Sequence, residues 1–249
     1  VVWMLSRIEL LSALARRRYG AKNFLAYFQA FSNTYAPLDR LRALYEEALA
    51  FPDVVGLSVG TRPDCLPDET LDLFVELAAR GAHVWLELGL QSSHEETLRR
   101  INRGHTFAQF VEAWRRARAR DGLRLCVHLI HGLPGEDRAL MRQTVERVAA
   151  LRPDGVKLHH LHLIEGAALT AEWRRRPFPL LELDEYVALV ADSLERLPPK
   201  CALQRFVGEV HGPGLVAPQW NLPKQRILSM IDAELARRGT HQGTLYRGE

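Results

Sequence analysis

The chain alternates short, near-continuously apolar runs with amphipathic stretches from end to end. The apolar runs fall at residues 24–28, 54–59, 83–88, 123–130, 155–160 and 201–207. Such continuity, rather than strict alternation, is what a parallel strand covered on both faces requires. Between the runs the period changes to that of a helix. Leu71, Phe74, Val75 and Ala78 keep the i, i+3, i+4, i+7 spacing, as do Phe107, Phe110, Val111, Trp114 and Ala117. Ser92 with Glu95 predicts a capping box, and Asp68 predicts an N-cap before Glu69. A Gly- and Pro-rich stretch at 208–218 predicts a surface loop, followed by a final helix over 223–235.

The repeated strand-then-helix order predicts right-handed βαβ units and an α/β fold with a parallel sheet. A full or partial barrel fits better than a dinucleotide-binding sheet, because the chain has neither GxGxxG nor GxxxxGK[ST]. One domain over 1–249 is expected. Residues 1–18, with Leu5, Ile8, Leu11 and Leu14 on one face, form a leading helix; 19–207 form the barrel body; 208–249 form the closing loop and helix.

Composition narrows the class. With 249 residues, 47% hydrophobic and 25% charged, the chain is folded and globular, which excludes disordered, collagen-like and disulfide-scaffold proteins. No apolar run approaches the roughly 18 residues of a membrane span, and no signal-peptide pattern opens the chain. The three cysteines, Cys65, Cys126 and Cys201, are far apart and odd in number, which excludes a disulfide framework or CxxC clip and points to a reducing cytoplasm. Net charge is only +3. The runs Arg16-Arg17-Arg18, Arg115-Arg116 and Arg174-Arg175-Arg176 read as solvated helix faces, with an electrostatic footprint for RNA as the alternative.

In parallel α/β architectures reactive groups gather at the carboxyl ends of strands. Those ends carry Gln29, Asn33 and Tyr35; Thr61, Arg62 and Asp64; Glu87 and Gln91-Ser92; and the pair of segments His128 to Glu136 and Lys157 to His162. His128, His131, His159, His160 and His162 fall on two successive ends, as metal ligands of a barrel hydrolase do. Substrate contacts and hydrogen-bonded structural groups are the competing reading. Alternation puts His160 and His162 on one strand face, Lys157 and His159 on the other. Gly132-Leu133-Pro134-Gly135-Glu136 makes a tight turn that brings backbone amides close to whatever binds.

Taken together, the segments Tyr27-Phe28-Gln29-Ala30-Phe31-Ser32-Asn33-Thr34-Tyr35-Ala36-Pro37, Gly56 to Leu66, Glu87 to Ser92, Ile101-Asn102-Arg103-Gly104-His105, Gly132 to Glu136, Lys157-Leu158-His159 and Ala217-Pro218-Gln219-Trp220 resemble a known family. It is the YhcC-type branch of the radical S-adenosylmethionine (SAM) superfamily, related to the catalytic subunit of the elongator tRNA-modifying complex. The resemblance implies a partial (β/α)6 barrel. It also implies a [4Fe-4S] cluster with SAM, an electron donor, and a 5′-deoxyadenosyl radical that takes hydrogen from a substrate. Gln91, Arg103, Gly132, Leu133, Pro134, Gly135 and His128 match positions implied to contact SAM. A guanidinium suits the methionyl carboxylate. Gln29, Arg62, Glu87, Lys157 and His159 are candidates for substrate contact by rim position, and RNA is one candidate substrate.

The chain departs from the family in one respect. The family carries three closely spaced cysteines in the loop after its first strand, and no such trio occurs here. The chain begins Val1-Val2-Trp3-Met4, so the expectation is that a first strand and its cluster loop are missing and that the chain as written does not assemble the cluster. Two rival readings remain: a histidine-ligated barrel metallohydrolase, and a non-catalytic remnant that binds RNA or protein.

Overall fold

The computed structural model describes residues 16–18, 20–29, 31–208 and 214–248. Strands β1 (Phe24–Phe28), β2 (Val54–Thr61), β3 (His83–Gln91), β4 (Leu123–His131), β5 (Gly155–His160) and β7 (Ala202–Arg205) belong to one sheet in the order β1-β2-β3-β4-β5-β7. The ladders β1–β2, β2–β3, β4–β5 and β5–β7 are parallel, as the apolar runs predict. Strands β6 (Leu163–Ile164) and β8 (Leu215–Ala217) form a separate antiparallel pair, so part of the expected 208–218 loop is strand. The helices are α1 (Leu38–Leu49), α2 (Asp68–Ala79), α3 (Glu95–Arg100), α4 (Phe107–Arg118), α5 (Arg138–Ala149), α6 (Ala168–Arg175), α7 (Leu183–Arg196) and α8 (Lys224–Arg238). Arg16 to Arg18 are helical; Leu5, Ile8, Leu11 and Leu14 lie outside the described residues.

The chain divides into two compact units, residues 1–89 with 108–125 and residues 90–107 with 126–249. In the first, Tyr45 of α1 lies edge-on to Phe28 of β1, with ring centroids 5.3 Å apart, and 5.4 Å from Phe74 of α2. Helix α2 buries Leu71, Leu73, Phe74 and Leu77, whereas Val75 and Ala78 of the expected stripe are half-buried. Asp68 is not the N-cap: Pro67 holds that place, and Asp68 stands in the first helical turn. There it takes hydrogen bonds from Arg116 and Arg120.

In the second unit, α5 starts on a true cap, Asp137 accepting from the Leu140 amide at 2.8 Å. Helix α7 starts on a capping box between Glu182 and Glu185, and α8 stops at Gly239 in the left-handed region. Arg238 ties α8 to α7, donating to Asp192 at 2.8 Å and to Glu195 at 3.2 Å. Burial works against the Asp192 charge, but the hydrogen bonds of Arg138 and Arg238 outweigh it and hold this carboxyl below its ordinary value. The predicted Ser92–Glu95 capping box does not form. His94 is the residue before α3, Ser92 is turned to other partners, and Glu95 instead accepts from the Phe107 amide at 2.8 Å.

Helix α7 covers one face of β4 and β5. Ser193 donates to the Leu189 carbonyl, so its oxygen is left to accept from His131 Nε2 at 3.1 Å, which fixes the imidazole proton on Nε2. On the same face His160 stacks on Trp220 at 4.0 Å and meets Tyr186 edge-on at 5.1 Å. Burial pushes His131 down to about 4 and His160 to about 3, so both are neutral at pH 7.

A folded-state pKa below the ordinary histidine value stabilises the fold above about pH 6.5, and that stability is lost as the pH falls toward the depressed values. Each such histidine adds a slope of up to about 1.4 kcal/mol per pH unit in that window. Urea unfolding at pH 7.5, 6 and 5 will show stability falling with pH, and His131→Gln will flatten the fall. A pH-independent midpoint, or an unchanged slope in that variant, would contradict the assignment.

Candidate functional site

In the first unit the strand ends are held together by side chains of the loop after β1. Asn33 donates to the carbonyls of Phe28 at 3.0 Å and Gly60 at 2.9 Å, while Tyr45 donates to the Asn33 carbonyl at 2.6 Å. The Thr34 and Thr61 hydroxyls are 2.6 Å apart, and Thr34 also donates to the Cys65 carbonyl. These polar residues therefore build the rim. Around them Tyr35, Pro37, Pro63, Cys65, Leu66 and Arg116 line a cavity of about 870 Å³.

Of the substrate candidates in this unit, Gln29 is exposed and Glu87 is 1% exposed. Glu87 accepts hydrogen bonds from Ser58 and from the Tyr27 phenol at 3.2 Å. Tyr27 and Ser58 were not candidates from the sequence. The signal was a lone Ser inside an apolar strand, set one strand away from a lone Glu. Arg62 is gripped by Asp64 two residues on, at 2.9 and 2.5 Å.

In the second unit the ends of β3 and β4 are joined by one polar contact. Gln91, the last residue of β3, is a non-glycine at φ 76°, a backbone state that costs energy and persists only where surroundings impose it. The next residue, Ser92, is fully buried; its hydroxyl donates to the Glu136 carboxylate and accepts from the His94 amide at 3.1 Å. Ser93 is also buried, and its amide donates to Thr144 at 3.1 Å. Arg147 donates to the Ser93 carbonyl at 2.9 Å. Burial raises the Glu136 carboxyl above its ordinary value, against the hydrogen bonds of Ser92 and Thr97.

The turn that Glu136 closes is the predicted one. Gly132 is at φ 81° and Gly135 at φ 90°. The left-handed backbone favours glycine at 132, and a Cβ there would come within 2.9 Å of Leu181 Cδ1, which would have to shift. Leu133 and Pro134 are buried, and Gly135 is exposed. Arg103 follows α3 and is half-buried, its amide bonded to the Leu98 carbonyl at 2.9 Å. All seven predicted SAM contacts thus belong to the second unit.

The face of β4 and β5 turned away from α7 carries His128, Lys157 and His159. His128 is the register partner of Lys157, and Lys157 in turn of Arg205. The rings of His128 and His159 are 6.3 Å apart. Burial, then the positive neighbours His128, Arg205, His162 and Lys157, pushes His159 down to about 3. His162 bonds to His160 with 2.5 Å between their Nε2 atoms, which leaves no room for an ion between them. Among the described residues no group of three His, Cys, Asp or Glu side chains could hold a metal ion, so the histidine-metal reading gains no support.

The cysteines do not fit an iron–sulfur cluster either. Cys65 ends a short 3-10 helix, Cys126 is buried inside β4, and Cys201 is buried before β7. Burial, then Asp154, pushes the Cys201 thiol up to about 12, the wrong direction for a thiolate ligand. One arginine of each run is paired with a carboxylate: Arg16 with Asp53, Arg116 with Asp68 and Arg174 with Glu165. No helix among the described residues is long and apolar enough to cross a membrane.

Comparison with known proteins agrees with this geometry. Residues 6–148 match the Radical SAM superfamily, and residues 153–237 match the Radical_SAM C-terminal domain. The chain is 43% identical over 224 residues to protein YtqA of Bacillus subtilis, covering 90% of this chain and 69% of that protein. It is 42% identical over 227 residues to protein YhcC of Escherichia coli K12, covering 91% and 73%. Elongator complex protein 3 of Mus musculus is 30% identical over 169 residues, covering 66% of this chain and 30% of that protein. The structure of archaeal Methanocaldococcus infernus Elp3 with an N-terminal deletion superposes with a TM-score of 0.79 at 20% identity, over 97% of this chain and 59% of that one, and shows a shared fold. By sequence, the chain belongs to the radical SAM superfamily.

Proposed function

We propose that this chain is the SAM-binding body of a radical SAM enzyme, and that its own three cysteines do not bind the [4Fe-4S] cluster. The observation that carries the reading is the Ser92–Glu136 contact, which ties two of the family-like segments, Gln91-Ser92 and 132–136, into one rigid rim. On this reading Arg103 holds the methionyl carboxylate, and Gln91 and His128 meet carboxylate or ribose edges. Gly132, Leu133, Pro134 and Gly135 lie along the adenosyl moiety, where the two buried apolar side chains exclude water. In this superfamily SAM supplies a 5′-deoxyadenosyl radical; the part of this chain is to bind and orient SAM and to keep the site dry.

Gln29, Arg62, Glu87, Lys157 and His159 are the residues offered to a substrate. Glu87, with Tyr27 and Ser58 already bonded to it, is built to accept hydrogen bonds. Arg62 must leave Asp64 to serve. RNA is the substrate class that the likeness to elongator proteins favours, the cysteine usage favours a reducing cytoplasm, and an external electron donor completes the reaction.

Calorimetric titration with S-adenosylhomocysteine tests the SAM site. Saturable binding is expected, weakened about tenfold or more by Arg103→Ala and by Gln91→Ala, the scale of one charge-assisted hydrogen bond. No binding, or full affinity in both variants, would overturn the site. Anaerobic reconstitution of the 249-residue chain with iron and sulfide tests the cluster claim. Substoichiometric iron and no 5′-deoxyadenosine are expected; stoichiometric iron with 5′-deoxyadenosine would refute it.

A further inference from the structure

The cavity of the first unit contains none of the residues assigned to SAM, yet it is built as a binding site. Its volume of about 870 Å³ is that of a small-molecule cleft, and every lining residue belongs to that one unit. Part of its wall is the loop after β1, which side-chain hydrogen bonds hold in place. Asn33 bonds the Phe28 and Gly60 carbonyls, and the buried Thr34 bonds Thr61 and the Cys65 carbonyl. On this fixed loop the Tyr35 ring lines the cavity and is left 83% exposed. The backbone there is already ordered, so a ligand that covers the ring gains apolar burial at little ordering cost.

The lining chemistry narrows the ligand. Charged groups at the cavity are matched in pairs: Arg62 with Asp64, and Arg116 with both Asp68 and Glu112. The cavity therefore suits a neutral ligand rather than an ion. Its backbone is equally committed. Pro37, Pro63 and Pro67 have no N–H, and the Cys65 and Leu66 carbonyls already accept from Thr34 and Arg116. An extended peptide finds no ladder to join. What remains is flat apolar surface, made of the three pyrrolidine rings, Leu66 and Tyr35.

We infer that this cavity is a nucleobase subsite, in which one unpaired base stacks on Tyr35 against the proline wall. A base is neutral, planar and aromatic, and stacking on a ring accepts any base. The base belongs to single-stranded RNA or to a free nucleoside. The inference rests on the RNA reading only for the first source, to which it gives a docking point, and it is independent of the SAM site.

The native cysteines supply the readout. Cys65 lines the cavity, whereas Cys126 and Cys201 are buried, so alkylation of the full chain by N-ethylmaleimide, located by mass spectrometry, reports on the cavity. The probes are a single-stranded RNA octamer of cytidine, and cytidine itself. Saturable protection of Cys65 is expected. Tyr35→Ala should raise the half-protecting concentration about tenfold or more, and Tyr35→Phe should restore it. Phe31→Ala controls for a generally adhesive surface, because Phe31 is 98% exposed but does not line the cavity. No protection, protection unchanged in Tyr35→Ala, or an equal loss in Phe31→Ala overturns the subsite. Protection by an octamer of abasic sites would assign binding to the phosphates and overturn it too. Protection by the cytidine octamer supports an RNA source; protection by cytidine alone supports a free nucleoside and counts against RNA as the substrate. RNA bound with Cys65 unprotected sinks the subsite and leaves the RNA reading standing. Affinity for S-adenosylhomocysteine should be unchanged in Tyr35→Ala; its loss would assign the cavity to the adenine of SAM and overturn the inference.

Discussion

The hydrogen bond from the buried Ser92 hydroxyl to the Glu136 carboxylate is the constraint on which the second unit's rim depends. Burial raises the Glu136 carboxyl above its ordinary value, and the hydrogen bonds of Ser92 and Thr97, with His94 nearby, oppose the rise. The bond joins the residue after β3 to the residue that closes the turn after β4. Ser92 is fully buried, and Gln91 beside it stands at φ 76°. With Glu136 fixed, the two left-handed glycines of the turn have one geometry, and Leu181 seals it from the other side. A contact that joins the two loop segments lowers the ordering cost of binding a flexible cofactor there.

The fold was legible because its strands are buried on both faces. Residues 24–28 and 155–160 are strands at the limits their apolar runs predict. Strands β2, β3 and β4 run one to three residues further, to Thr61, Gln91 and His131, because backbone pairing continues after the apolar run has ended. Polar residues at those ends are the site, so hydrophobicity stops just where chemistry starts. The α2 stripe was partly misread, since a helix packed deeply buries Leu73 and Leu77 as well as the residues of the simple period.

The site was less legible, for a physical reason. Asn33 looks like rim chemistry in sequence, yet its side chain bonds backbone carbonyls of Phe28 and Gly60, and Thr34 beside it pairs with Thr61 and the Cys65 carbonyl across the sheet, contacts that no local spacing encodes. Ser92 reads as half of a capping box with Glu95, but its hydroxyl finds Glu136 instead, 44 positions away. The histidines divide by strand face. His131 and His160 are packed against α7 as neutral core groups, whereas His128 and His159 share the opposite face with Lys157. Alternation accounts for that split, and among the described residues no three of these side chains come together as a metal-holding group.

The family gives the chemistry and this chain gives the positions; the rim of Gln91, Ser92 and the 132–136 turn is where the two must meet. Hydrogen–deuterium exchange with and without S-adenosylhomocysteine tests that meeting most directly. Protection of residues 91–93, 103 and 132–136 on ligand addition is the expected result. Protection confined to residues 34–37 and 63–68, around the first unit's cavity, would contradict the account.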